Sequence, residues 1–143
     1  MTRGNINNIT KEREMQVFTE CKELIKYTFN VTKAPVRRNG KLTGYTKKWR
    51  FTLVNPMQSM SLEILKQLTL ANETYVHDQH TKNLRIAHIK RALAEIKQLA
   101  YMVELSFSLG VIDGKRMGVW ADKIGKVRTL TAGWFTATRN KKA

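Results

Sequence analysis

The sequence predicts an all-α fold, an up-down-up-down antiparallel four-helix bundle, and three observations carry that prediction. Apolar residues recur at steps of three and four through four separate stretches. Turn residues fall between the stretches, and the later connections are only a few residues long, which makes consecutive helices antiparallel neighbours. Finally, 42% of the 143 residues are apolar, enough to bury the core of one domain of ordinary size.

The first helix is expected over about 10–30. Thr10 can cap it, Glu12 and Glu14 suit the positive end of its dipole, and Phe18, Cys21, Ile25 and Thr28 form one face, widened by Leu24 and Phe29. A basic loop over 31–50 follows, holding Pro35, Asn39-Gly40 and Gly44. Asn-Gly between Val36 and Leu42 could close a small hairpin.

The second helix is expected over 54–75. Asn55 is read as its cap and Pro56 as its first-turn residue, where the missing N–H is harmless. Met57, Met60, Ile64, Leu68, Ala71 and Tyr75 line one side, and Phe51 and Leu53 could extend the helix backward.

The third helix, 81–109, has the cleanest signal. Ile86, Ile89, Leu93, Ile96, Ala100, Val103 and Phe107 keep a seven-residue repeat, and Gly110 stands where a helix stops. The fourth, 113–139, starts from Asp113 as cap. Its seam is Met117, Trp120, Ile124, Val127, Thr131, Trp134 and Thr138. Leu99, Met102, Leu105 and Leu109 lie off the third helix's seam, while Gly118, Gly125 and Ala132 make a smooth strip on the fourth. That strip serves either close packing inside one bundle or a subunit contact.

Charge directs the functional reading. Twenty-six Lys and Arg face 11 Asp and Glu, a net +15. Self-repulsion on that scale works against compactness, and a polyanion partner, RNA or DNA, is the simplest reason to carry it. Residues 31–50 hold seven cations and no acid, and from Val76 onward thirteen cations face five acids. No apolar run approaches a membrane span, MTRGNINNIT has no secretory pattern, and Cys21 is alone. A cytoplasmic protein without membrane association is expected.

Catalytic chemistry finds little support. His77-x-x-His80 with Asp78 lacks a further Cys or His cluster for a metal, and His88 reads as a packed or edge side chain. Cys21 lies on an apolar face as a small hydrophobe, the helical Glu residues occur singly, and Gly114-Lys115 lacks the rest of a phosphate loop. Neither enzymatic activity nor a cofactor is expected.

The cations offer a better site. Lys47, Lys48 and Arg50 interleave with Trp49 and Phe51, a pattern that can stack bases, although packing of both rings onto the bundle end is the plainer reading. Lys82, Arg85, Lys90, Arg91 and Lys97 flank the third helix's seam. Lys123, Lys126 and Arg128 do so on the fourth, before Arg139 and the final lysines. Such cations grip phosphates without reading sequence.

Two segments carry a family resemblance. TKKWRFTLVNPMQSMSLEILKQLTLANETY (46–75) and ADKIGKVRTLTAGWFTATRNK (121–141) are similar to the Avd-like four-helix bundles, the accessory variability determinants of diversity-generating retroelements. The shared signs are Lys47 to Phe51 at the entry, Ala71 to Glu73 at the exit, and Ile124, Gly125, Gly133 and Trp134. The resemblance implies a basic homopentameric barrel of bundles that binds nucleic acid and associates with a reverse transcriptase. That polymerase copies a template-repeat RNA into adenine-mutagenised cDNA. The resemblance further implies structural roles for Trp49, Phe51, Gly125 and Trp134, and electrostatic ones for Lys47, Lys48, Arg50, Lys82, Arg85 and Arg91. The loop 33–44 is not part of the pattern. Related bundles are encoded in intervening sequences of large-subunit ribosomal RNA genes, so a ribosomal-RNA-associated protein is one alternative. A helical module for an acidic protein is another.

Overall fold

The computed structural model describes residues 14–33 and 35–142. Four helices form an all-α bundle: α1 (Gln16–Thr32), α2 (Asn55–Glu73), α3 (Gln79–Ser108) and α4 (Gly114–Asn140). Each packs against its neighbours in sequence, and α4 closes back on α1. The expected first turn of the first helix, with Thr10 and Glu12, lies outside the described residues. No helix is long and apolar enough to cross a membrane.

Between α1 and α2 the expected hairpin is present as two short antiparallel strands, β1 (Val36–Arg38) and β2 (Lys41–Thr43). Asn39 and Gly40 both take positive φ, 50° and 78°, as the tightest hairpin turn requires.

The entry to α2 corrects the sequence reading. Asn55 is not a cap, because its backbone is already helical and its N–H donates to the Arg50 carbonyl. A 3₁₀ turn over Lys47–Trp49 and a π turn over Arg50–Val54 run straight into α2. Inside a helix, proline lacks a donor and crowds the carbonyl four residues back. A π turn just ahead of Pro56 widens the helix there. The basic loop therefore ends at Thr46, not at residue 50.

The α3 and α4 boundaries fall within two residues of expectation. Asp78 and Thr81 form a reciprocal capping box on α3, and the Asp113 carboxylate accepts from the Arg116 N–H on α4. Gly110, at φ 77°, ends α3, with the Val111 N–H reaching the Ser106 carbonyl.

The core centres on Cys21, Leu24, Met57, Ile64, Leu68, Ile96, Leu99, Val103, Trp120 and Val127. On α3 the buried column is Ile89, Ala92, Ile96, Leu99, Val103 and Ser106. Leu99 is thus central to the seam, while Phe107 is exposed and Ile86, Leu93 and Ala100 are half-buried. Tyr75, expected on the inner face of the second helix, is 74% exposed past its end. Trp134 packs on the core but is only half-buried. Thr28, Thr32 and Ser61 enter the interior because each hydroxyl donates to a carbonyl three or four residues back.

Candidate nucleic-acid interface

One end of the bundle gathers the chain's charge. There α1 ends, α2 begins, α3 turns into α4, and the hairpin sits above them. Residues 31–58 and 109–118, which build this end, contain Lys33, Arg37, Arg38, Lys41, Lys47, Lys48, Arg50, Lys115 and Arg116 against a single carboxylate, Asp113. More than half of the chain's net charge therefore lies here.

The end is held rigidly from below. Trp120, fully buried, donates its indole N–H to Thr28 Oγ1 at 3.1 Å. The buried Tyr45 ring meets Trp120 edge-on at 6.4 Å, and Tyr27 does so at 6.1 Å. Tyr45 thus ties the hairpin's exit to the core. Burial pushes its phenol up to about 12, so it stays neutral. Val111 and Ile112 bury the turn between α3 and α4 beside it.

Above this floor a cavity of about 690 Å³ opens between the α1 exit, the hairpin and the α2 entry. Lys33, Lys47, Lys48 and Arg50 line it without any acid, along with Pro35, Leu42, Val54, Asn55 and Gln58. Lys33 also borders a second cavity of about 320 Å³ with Arg116, Tyr27 and Asn30. The entry aromatics separate. Trp49 packs against the core with Lys48 Nζ 4.8 Å from its ring centre. Phe51 is 78% exposed, which removes the structural role within the bundle expected for it.

These cations are placed against local electrostatics. Lys47 and Lys48 stand in the first turn of the helical run into α2, and Lys115 and Arg116 in the first turn of α4. A helix start carries partial positive charge, so a cation there is unfavourable by about 0.3–1 kcal/mol. Arg116 recovers part of that cost through Asp113 and Lys48 through the Trp49 ring, whereas no ion pair or ring contact among the described residues offsets it at Lys47 or Lys115.

The other expected binding residues are dispersed, and the structure unites only Lys47, Lys48 and Arg50. Arg85 is turned inward: its Nε lies 3.0 Å and its Nη2 2.6 Å from the Thr74 carbonyl, and Nε also lies 3.2 Å from the Ala71 carbonyl. Its guanidinium closes the C-terminus of α2 and stands 5.8 Å from the Trp134 ring centre, contrary to the free surface display expected of it. Lys90 and Arg139 bracket Phe135 at 5.9 and 5.6 Å. Lys123 covers Tyr27 at 5.6 Å, and Lys126 shares a groove with Glu20 and Asp122. Lys97 and Arg128 line one groove with Glu104 between α3 and α4. Arg91 is exposed and Lys82 half-exposed on α3. Among the described residues, none of these twelve cations forms an ion pair with a carboxylate.

Sequence reasoning did not place Lys33, Arg37, Arg38, Lys41, Lys115 or Arg116 in the site. The acid-free run 31–50 was the signal for the first four. Lys115 and Arg116 join them only because the antiparallel topology returns the start of α4 to this end.

Other chemical groups fit the background. Burial pushes the Cys21 thiol up to about 12, which leaves it an unreactive hydrophobe. His77 Nδ1 lies 3.5 Å from Asp78, and no grouping of three or more metal-ligating side chains occurs among the described residues. The sequence matches no protein-family model and no curated protein.

Proposed function

We propose that this chain is a nucleic-acid-binding accessory protein of the Avd-like kind. It would hold RNA or cDNA on the hairpin end of the bundle and associate with a retroelement reverse transcriptase. The supporting observation is the cluster of cations at that end, four of them set in helix first turns. Among the described residues only Arg116 of this cluster pairs with a carboxylate, 4.0 Å from Asp113. Phosphates satisfy such cations by releasing counterions, so affinity falls by about 0.7–0.9 log units per log unit of salt for each phosphate neutralised. The polymerase performs the mutagenic copying, and this protein supplies a basic scaffold in the cytoplasm.

Assembly into a homopentamer belongs to the same reading. Gly118 and Gly125 have no atom within 4 Å of where a Cβ would stand, so close packing inside one bundle does not explain the small strip. Tyr101 and Leu105 on α3, and Leu109 at its end, are exposed, which leaves apolar surface for a subunit contact.

The test is co-expression with the reverse transcriptase that this reading expects a neighbouring gene to encode, followed by titration of plain RNA at two salt concentrations. The proposal expects co-purification and a steep salt dependence. RNA binding with no polymerase capture identifies the ribosomal-RNA-associated alternative, and absence of RNA binding leaves the acidic-protein module.

A further inference from the structure

We infer that the cavity between the hairpin and the α2 entry receives one unpaired nucleotide of the bound strand, base inward and phosphate at the rim. This assignment rests on the polyanion reading of the basic end and adds to it a site for a single base.

The lining has two characters. Lys33, Lys47, Lys48 and Arg50 bring charge to it, while Pro35, Leu42 and Val54 supply apolar surface. An inorganic anion would need only the cations. A nucleotide uses both parts, since its planar base covers apolar carbon while its phosphate meets the charges. Two side-chain amides complete the wall. Gln58 Nε2 donates to the buried Thr32 Oγ1 at 3.0 Å, which fixes that amide and leaves its carbonyl oxygen as an acceptor. Asn55 offers a donor and an acceptor one turn earlier. These are the groups that meet a base edge.

The volume, about 690 Å³, lies within the range of small-ligand sites. Duplex bases are stacked and paired, so only a single-stranded or extruded base can enter. The π turn over Arg50–Val54 positions the wall, because it presents Arg50, Val54 and Asn55 to one cavity at the point where Pro56 disturbs the helix.

The experiment uses the full chain and its Leu42→Ala/Asn55→Ala variant. Fluorescence anisotropy follows a labelled single-stranded RNA, a single-stranded DNA and a duplex of the same length. Both residues are exposed, so the melting temperature stays unchanged. Single-strand affinity is expected to fall about tenfold for RNA, DNA or both, as the loss of one apolar contact and one base-edge hydrogen bond would give. Duplex affinity and the salt slope stay as they were, because every phosphate-binding cation is still in place. Gln58→Ala gives a second, independent loss of the same selectivity. Equal losses on single strand and duplex, or no loss on either, overturn the pocket assignment while leaving the basic-end reading intact. If the parent chain binds no polyanion in any form, the basic-end reading fails and the pocket assignment fails with it.

Discussion

Where α2 turns into α3, the Arg85 guanidinium is held by the Ala71 and Thr74 carbonyls and lies over Trp134. At the opposite end Lys47, Lys48 and Arg50 line an open cavity and bind no carboxylate among the described residues. Both places carry cations, yet Arg85 at the first is absorbed by the fold, and Lys47, Lys48 and Arg50 at the second bond no backbone carbonyl in this way among the described residues. The reason is the direction of α2. Its C-terminus exposes unpaired carbonyls with partial negative charge, which a guanidinium satisfies. The helical run that leads into α2 begins at Lys47 with N–H groups of partial positive charge, which Lys47 and Lys48 oppose. Arg85 in the first case is structural, and in the second the proposed function has the cations answer to a polyanion.

Several substitutions break or sharpen this contrast. The largest effect is expected from Trp120→Ala, which removes the fully buried ring under Tyr45 and its bond to Thr28. Thermal or denaturant unfolding should register a loss of about 3–5 kcal/mol, with loosening of the hairpin end first. Arg85→Ala comes next. It leaves the α2 carbonyls without their charged donor, and about 1.5–3 kcal/mol should be lost in denaturant titration. Lysine at this site should not rescue the loss, because it cannot reproduce the planar fork. An unchanged melting curve for Arg85→Ala would erase the difference between the two ends.

A smaller effect concerns the α3 cap. Hydrogen bonds from Thr81, first from its backbone N–H and then from its hydroxyl, hold the Asp78 carboxyl below its ordinary range. A depressed carboxylate contributes its stability above the unfolded value, about pH 4, and loses it as pH falls through the folded one. The parent chain should therefore lose melting temperature on acidification more steeply than Asp78→Asn. Identical pH profiles would show the cap contributes nothing. The smallest and most discriminating effect is of opposite sign. Lys47→Glu should raise stability slightly, by up to about 0.3–1 kcal/mol, because it removes a cation from a helix start, while at Lys48 the lost contact with the Trp49 ring offsets the same gain. A melting-temperature drop of comparable size for Lys47→Glu would mean this lysine supports the fold.

The two later helices were legible in sequence because their caps, Asp78, Asp113 and Gly110, are local signals. The α3 seam was legible only to within one residue. Two adjacent columns there keep the same seven-residue step, and Leu99 rather than Ala100 faces the core because two neighbouring helices together set the inner face. The buried polar positions Ser61, Gln67 and Ser106 carry no hydrophobic signal, whereas Thr28 and Thr131 were legible from the step of three and four alone. Asn55-Pro56 imitated a helix start because the local residues suit a cap and a π continuation alike. At the site, acid-free charge was visible before folding, whereas the loss of Arg85 to the α2 C-terminus needed coordinates.

The most direct measurement is the slope of RNA affinity against salt for three proteins: the parent chain, Lys47→Glu/Lys48→Glu/Arg50→Glu, and Lys82→Glu/Lys141→Glu/Lys142→Glu at the opposite end. The hairpin-end variant should bind far more weakly, and its slope should be shallower by about 0.7–0.9 for each phosphate it no longer neutralises. The opposite-end variant should keep a slope close to the parent's. Equal losses from both variants would contradict a localised interface and leave only diffuse attraction to a basic surface.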